Sequence, residues 1–201
     1  NVVANQIENK IYQKTLQNQT NFDTVLPEKI RKQAKLAVKD EYTFDFLELG
    51  EKHSEKELEG AILLRLEPFL QEMGGMFTFI GRQVRLDIAG EDYYLDLLLY
   101  HRSLKALIAV ELKVGTFVPE QVGKMQFYLS LLDERMRLPG ENPSIGIILC
   151  KTKNKTIVEF ALKASRKAIG IAAYRIVRQL PAALKGKLPD PARISRLLSE
   201  A

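Results

Sequence analysis

The sequence predicts an α/β domain in which a mixed sheet is flanked by helices. Stretches with the period of a strand alternate with stretches with the period of a helix, in the order helix, three strands, helix, strand, helix, strand. The three consecutive strands favour an antiparallel meander, and the fully apolar fourth strand, SIGIILC, favours a central position in the sheet. The 201 residues, of which 46% are hydrophobic, suffice for one such domain and an appendage.

Residues 1–43 differ from the rest of the chain and predict an N-terminal helical extension. Ile7, Ile11 and Leu16 recur at helical spacing in a stretch rich in Asn and Gln. A second, short helix is expected in DTVLPEKIRKQAKLAVKD, with Pro27 in its first turn. Its apolar side would consist of Ile30, Ala34 and Leu36. Because the chain begins with Asn, we expect residues 1–43 to be the tail of an upstream domain or a dimerisation arm.

The main domain is expected at residues 44–180 and starts with a long helix in SEKELEGAILLRLEPFLQEMGG. Ser54 and Glu57 form a capping box at its start, and Gly74 closes its end. Its apolar ridge would consist of Leu58, Ile62, Leu66 and Leu70. The predicted meander of FTFIGRQVRLDIA, YYLDLLLYH and LKALIAVELKVG follows.

Two more helices complete the predicted domain. PEQVGKMQFYLSLLDERMR begins at Pro119, and TIVEFALKAS lies between SIGIILC and the last strand, IGIAAYRI. Residues 181–201 are expected to form a loop and a terminal helix. No apolar run reaches the ~18 residues that suggest a membrane span, and the start does not resemble a signal peptide, so no membrane partner is expected. The single cysteine, Cys150, fits a reducing cytoplasm, which is the expected location.

The net charge of +5 is unevenly distributed along the chain. Residues 40–72 contain 10 Asp or Glu against 3 Lys or Arg, whereas residues 151–201 contain 12 Lys or Arg against 3 Asp or Glu. A basic half beside an acidic patch suits a polyanionic partner that approaches a metal site. A solvated basic face is the alternative interpretation.

Three ionisable residues interrupt the apolar strands of the predicted meander. Asp96 lies inside YYLDLLLY, and Glu111 and Lys113 lie in IAVELKVG, on one face of their strand and roughly 7 Å apart. Pairing of the two strands about the turn HRSL would bring Asp96 near Val110 or Glu111. An isolated charge in such a strand is costly unless another group pairs with it, so these residues are candidates for a site.

The two carboxylates predict a site for a hard cation. Carboxylates a few Å apart repel each other unless a cation lies between them, and oxygen ligands favour Mg²⁺ or Mn²⁺. Lys113 beside such a cation could orient a water molecule or stabilise charge that develops on a phosphate. A structural ion pair of Glu111 with Lys113 or Arg102, and a merely solvated Lys113, are the alternatives.

The pattern of Asp96 followed by Glu111 and Lys113 resembles the PD-(D/E)xK nuclease superfamily, which has the restriction-endonuclease-like αβββαβ core. Leu95 stands where the superfamily name has proline. A longer stretch, FIGRQVRLDIAGEDYYLDLLLYHRSLKALIAVELKVGTFVPEQVGKMQFYL, together with SIGIILCKTKN, is similar to the bacterial YhcG-like family of predicted nucleases. This resemblance implies a metal-dependent nuclease with Mg²⁺ or Mn²⁺ bound by Asp96, Glu111 and the carbonyl of Leu112.

The resemblance also implies roles for residues on the two helices beside the sheet. An acidic residue of the first core helix often completes the metal site in this superfamily, and Glu59 is preferred over Glu55 because it can lean over the sheet. Lys124 and Tyr128 hold the spacing of a Gln-x-x-x-Tyr motif, with Lys in place of Gln. Both could reach the scissile phosphate, although a solvated Lys124 and a core Tyr128 are the alternatives.

Basic residues near the predicted site would form a rim that contacts phosphates without reading sequence. They are Arg82, Lys151, Lys153 and Lys155, and any of them could instead be simply solvated. A DNA nuclease is therefore the expected function, with a homodimer formed through the N-terminal helices. The alternative is a nucleic-acid-binding or assembly module that is inactive without upstream residues or a partner. A small-molecule phosphoesterase is disfavoured because the chain lacks His clusters and Gly-rich phosphate loops.

Overall fold

A computed structural model describes residues 18–50 and 52–176 of the chain. The strands are β1 (Gln19–Thr20), β2 (Glu41–Thr43), β3 (Phe77–Ile88), β4 (Glu91–His101), β5 (Ala106–Thr116), β6 (Ile145–Thr152) and β7 (Ala168–Arg175). The helices are α1 (Phe22–Val25), α2 (Glu28–Ala37), α3 (Glu55–Leu64), α4 (Leu66–Met73), α5 (Glu120–Arg135) and α6 (Lys155–Lys163). In these ranges no helix is long and apolar enough to cross a membrane.

All seven strands belong to one mixed sheet. Its order is β1, β7, β6, β5, β4, β3, and β2 also pairs with β7. The meander β3–β4–β5 is antiparallel, whereas β5, β6 and β7 are parallel neighbours linked through α5 and α6. The predicted α/β fold class, with its order of helix, three strands, helix and strand, is therefore confirmed.

Helices cover both faces of the sheet because β5 is apolar on both of its faces. Ile108, Val110 and Leu112 face the core beneath α3 and α4, whereas Leu107 and Ala109 face the core beneath α5 and α6. This division follows from the alternation of side chains along a strand. Glu111 has the same parity as Leu107 and Ala109, so the sheet directs it towards the face that carries α5.

The first core helix is broken where the sequence predicts one continuous helix. The capping box of Ser54 and Glu57 is present at its start, but α3 ends at Leu64 and α4 begins at Leu66. Pro68 explains the break, because it lacks an N–H and its ring would clash with the carbonyl four residues earlier, that of Leu64. The single helix predicted for this segment was therefore wrong.

The break also changes which apolar residues of α4 are buried. Leu58 and Ile62 are buried as predicted, but Phe69 and Met73 fill the core of α4 in place of Leu66 and Leu70, which are only partly buried. The two lists differ because the helical phase of α4 does not continue that of α3.

Residues 18–43 contribute to the same sheet as the main domain. β1 pairs with β7 antiparallel, and β2 pairs with β7 parallel. The predicted short helix is present as α2, with Ile30 and Ala34 buried, but Leu36 is 44% exposed and does not join their apolar side. The predicted boundary at residue 43 stays a prediction. The first predicted helix, around Ile7 and Leu16, and the predicted loop and helix at 181–201 lie outside the described residues.

Close packing between α5 and β6 gives a prediction about two glycines. A Cβ added at Gly146 of β6 would lie 2.5 Å from Cγ of Met125, whereas a Cβ at Gly123 would have no atom within 4 Å. We expect Gly146→Ala to lower the free energy of unfolding by about 1–3 kcal/mol through overpacking. Gly123→Ala, the matched control on the helix that carries Lys124, should raise it by about 0.5–1 kcal/mol. Urea denaturation of both variants measures this difference, and equal effects would contradict the described packing.

Candidate active site

The candidate site begins where the hydrogen-bonded ladder between β4 and β5 stops. The register pairs Leu97 with Val110, and no further pair follows toward Asp96. Instead, Oδ2 of Asp96 accepts a hydrogen bond of 2.8 Å from the backbone N–H of Leu112. The carboxylate thus replaces a backbone partner, and the register places Asp96 beside Glu111, as the sequence predicted.

Glu111 is a buried carboxylate that is only half satisfied. Its residue is 2% exposed. Oε1 accepts from the ammonium of Lys124 at 2.5 Å and lies 3.2 Å from that of Lys113. Oε2 is buried and has no hydrogen-bond partner among the described residues. A buried carboxylate oxygen without a partner is costly, so this atom is available to a ligand.

Lys113 connects the strand to α3. Its ammonium donates to Glu55 at 2.9 Å and lies 3.2 Å from Oε1 of Glu111. Burial alone would lower the pKa of Lys113, but the hydrogen bond and charge of Glu55, together with Glu111, outweigh burial and hold that pKa above its ordinary value. Lys113 is therefore a cation and a hydrogen-bond donor near neutral pH.

Asp96 has a higher pKa than an ordinary aspartate. Burial raises its pKa from 3.8 to about 6, and the nearby charge of Glu111 adds to the shift. The N–H of Leu112 and the ammonium groups of Lys113 and Lys124 oppose the shift but do not cancel it. Burial and the charge of Glu111 together therefore outweigh the donors and cations around Asp96.

A second connection links Asp96 to α3 through Gln83, a residue that the sequence pattern does not indicate. The amide nitrogen of Gln83 donates to Oε2 of Glu59 at 2.5 Å and to Oδ1 of Asp96 at 3.3 Å. Glu59 and Glu55 lie one helical turn apart, so α3 reaches the strands through both of its candidate acidic residues. The sequence indicates Arg82, the neighbour of Gln83, instead.

Of the two candidate residues on α5, Lys124 belongs to the site and Tyr128 belongs to the core. Lys124 donates to Glu111, and its ammonium also lies 5.3 Å from the ring centroid of Tyr128. Tyr128 is buried, and its hydroxyl donates to the carbonyl of Tyr94 at 3.0 Å. Tyr128 therefore supports Lys124 and ties α5 to β4.

The residues of the predicted basic rim lie on β3 and around the end of β6. Arg82 is exposed on β3, and Lys151 is exposed near the end of β6. The ammonium of Lys153 pairs with Asp40 at 2.5 Å and donates to the carbonyl of Ile171 at 2.8 Å. Lys153 is therefore engaged in holding β7 and the segment before β2 in place.

The donor set of the site suits a hard divalent cation. Asp96 and Glu111 provide carboxylate oxygens, and Oε2 of Glu111 has no partner in the described part of the chain. In residues 18–50 and 52–176, no three His, Cys, Asp or Glu side chains form a group that could hold an ion. Mg²⁺ commonly binds through one or two carboxylates and retains several waters, so two carboxylates and a backbone carbonyl fit that ion better than Zn²⁺.

The site lies between β4 and β5, inside the strand order of the sheet, where their hydrogen-bonded ladder stops. A cavity of about 620 Å³ is found elsewhere, lined by residues of α2, β2, α4 and the first residue of β3, with Lys39, Glu72 and Arg175 among them. None of the candidate site residues contributes to that cavity.

The helix, the three-stranded meander, the next helix and the next strand form the core arrangement of the restriction-endonuclease-like class. More narrowly, the chain belongs to the family described as the YhcG PDDEXK nuclease domain, whose model matches residues 35–189. The predicted membership of this superfamily and the likeness to YhcG are therefore confirmed.

A curated relative and solved structures accompany the family match. The chain is 39% identical over 145 residues to "Putative nuclease YhcG" of Escherichia coli (strain K12), which covers 72% of this chain. The chain spans only 38% of the length of that relative. Similar solved structures include a repair endonuclease from Pyrococcus abyssi, at 18% identity and a TM-score of 0.40 over 64% of this chain and 50% of that chain. The structure titled EndoMS-dsDNA2 complex has 17% identity and a TM-score of 0.40 over 68% of this chain and 49% of that chain.

The raised pKa of Asp96 predicts an unusual dependence of stability on pH. The folded chain takes up this proton with a pKa of about 6, whereas the unfolded carboxyl has its ordinary value of 3.8. Stability should therefore fall as the pH rises from about 4 to about 6, and the cost is complete above that range. Asp96→Asn, which keeps an acceptor for Leu112, should gain on the order of 2 kcal/mol at pH 8 and little at pH 4. Urea denaturation in EDTA at both pH values checks this, and an equal gain at the two would refute the assigned shift.

Proposed function

We propose that the chain is a divalent-metal-dependent nuclease that hydrolyses phosphodiester bonds in DNA. The observation that carries the proposal is the carboxylate pair of Asp96 and Glu111 at the point where β4 and β5 separate. One oxygen of Glu111 is buried without a partner among residues 18–50 and 52–176, and the pKa of Asp96 is raised to about 6. A cation bound between these two carboxylates would compensate negative charge that the surrounding side chains leave unbalanced.

The carboxylates and one backbone group would hold the ion. Asp96, Glu111 and the carbonyl of Leu112 are the proposed ligands of Mg²⁺ or Mn²⁺, and Glu59 would act on the site from α3 without joining these ligands. A bound divalent cation supplies a Lewis acid that polarises the phosphodiester and stabilises the charge of the transition state. Glu59 is connected to Asp96 only through the amide of Gln83, which favours an indirect role for this carboxylate.

Lys113 would act as a fixed donor beside the ion. Its raised pKa keeps it protonated, so it can orient the attacking water and offset negative charge on the phosphate, but it does not serve as a general base. The Lys113 ammonium is held by Glu55 as well as by Glu111. This geometry favours the orienting role over deprotonation of the water by the amine.

The remaining basic residues would position the polyanion. Lys124 lies closest to the carboxylates and would contact the scissile phosphate, with Tyr128 supporting its position. Arg82 and Lys151 are exposed and would contact phosphates farther along the strand. Lys153 would contribute to the local positive charge while it remains paired with Asp40. Contacts of this kind give affinity without reading sequence.

The proposal extends to the organisation of the protein. Residues 44–180 would be the nuclease domain, and residues 1–43 would lead into it as the end of an upstream domain or as a dimerisation arm, with β1 and β2 pairing with β7. A cytoplasmic location is proposed. A homodimer would suit cleavage of both strands of a duplex.

Substitutions in the site should abolish cleavage without unfolding the chain. We expect Glu111→Gln and Lys113→Met each to lower the cleavage rate by about 100- to 1,000-fold, because each removes charge aimed at the reacting phosphate. Labelled linear, branched and single-stranded DNA, and matching RNA, incubated with Mg²⁺ or Mn²⁺, provide the assay.

Glu134→Gln and Lys32→Met make the same chemical changes at exposed positions on α5 and α2, and they should cleave like the wild type. Cleavage that survives Glu111→Gln would overturn the assignment. Salt-dependent DNA binding without any cleavage in Mn²⁺ would favour the binding or assembly module instead.

Divalent cations should stabilise the folded chain, because a ligand that binds only the folded state raises its stability by mass action. We expect saturating Mn²⁺ to raise the unfolding temperature by ~2–8 °C relative to EDTA. Glu111→Gln should lose this increase, whereas Glu134→Gln should retain it. An unfolding temperature that does not respond to Mn²⁺ in the wild type would count against a metal site.

A further inference from the structure

We infer that Gln83 is a positioning residue that fixes the carboxylate of Asp96 for the divalent cation, an inference that rests on the proposed function. Its amide nitrogen lies between two carboxylates, at 2.5 Å from Oε2 of Glu59 and 3.3 Å from Oδ1 of Asp96. Oδ2 of the same Asp96 is held by the N–H of Leu112 at 2.8 Å. Both oxygens of Asp96 therefore have a donor, and the plane of the carboxylate is set from two sides.

The orientation of the amide is dictated by its partners. Carboxylate oxygens only accept hydrogen bonds, so the nitrogen of Gln83, with its two N–H groups, faces Glu59 and Asp96, and the carbonyl points away. The amide is also neutral. An ammonium or guanidinium here would compete with a cation for Asp96, as Lys124 does at Glu111, whereas an amide orients the carboxylate and leaves its charge for the ion.

The backbone brings Gln83 to this position at an energetic cost. The register of β3 and β4 shifts between Phe79 and Gly81, so that Ile80 is an extra residue in β3. Arg82 pairs with Leu97 and Val84 with Leu95, which leaves Gln83 opposite Asp96.

Gln83 has a φ of 43°, a left-handed conformation that is unfavourable for a residue with a Cβ. A glycine would adopt this backbone more readily, and the glutamine side chain is what the site gains in return.

The test separates the amide from the backbone. Gln83→Gly removes the bridge between Glu59 and Asp96 and also relieves the left-handed backbone. Ala89→Gly is the control, because it relieves a left-handed backbone with a φ of 54° at a residue beyond the end of β3. We expect Gln83→Gly to need about 10- to 100-fold more Mn²⁺ to reach half of the full increase in unfolding temperature. Its unfolding temperature in EDTA should equal or exceed that of the wild type. Ala89→Gly should leave the Mn²⁺ requirement unchanged.

Kinetics and a second variant complete the test. With limiting Mn²⁺, Gln83→Gly should lower kcat for DNA cleavage about 10- to 100-fold and leave KM within about threefold, because the amide acts on Asp96 and not on DNA. Asn tolerates the left-handed backbone, but its side chain is one methylene too short for both contacts, so Gln83→Asn should resemble Gln83→Gly. It tests the role of the amide if the glycine variant does not fold.

The outcomes separate the two proposals. A wild-type Mn²⁺ requirement in a folded Gln83→Gly or Gln83→Asn variant would overturn the role of Gln83 while the proposed function stands. Absence of both a Mn²⁺ response and cleavage in the wild-type chain would overturn the proposed function and this inference with it.

Discussion

The hydrogen bond from the N–H of Leu112 to Asp96 is the interaction on which the arrangement of the site depends. It ends the ladder between β4 and β5 without leaving a buried backbone donor unpaired, which would be costly. Because a side chain terminates the ladder, the two strands can separate while both stay attached to the sheet. The separation brings Asp96 and Glu111 together at its apex. The rest of the site is arranged around the resulting pair of carboxylates.

The neighbouring cations compensate the charges of Asp96 and Glu111 only in part. Glu55, Lys113, Glu111 and Lys124 alternate in sign along one connected line of contacts from α3 across β5 to α5. This alternation ties two helices on opposite faces of the sheet to one strand. It does not reach Oε2 of Glu111, nor does it return the pKa of Asp96 to its ordinary range. The protein therefore folds with part of its negative charge unmatched, which costs stability near neutral pH.

The fold could be predicted from the sequence because its signals are local. Alternating apolar strands, the capping box at Ser54 and the proline at the start of α5 each place an element without reference to the rest of the chain. The break between α3 and α4 was also local, since Pro68 lies in the segment, but the apolar positions of the two helices mimic one continuous ridge. The proximity of Asp96 to Glu111 could be predicted because the turn after His101 fixes the register of β4 and β5.

The identity of the residue opposite Asp96 could not be predicted in the same way. Before the shift at Ile80, the register of β3 would place Arg82 opposite Asp96, and the extra residue replaces it with Gln83. No turn signal marks this bulge, because Gly81 in a strand is compatible with several irregularities. A single inserted residue thus decides whether Asp96 faces a permanent cation or a neutral donor. With Arg82 there, the carboxylate would be neutralised by the protein itself; with Gln83 there, it is oriented and its charge is left for an external cation.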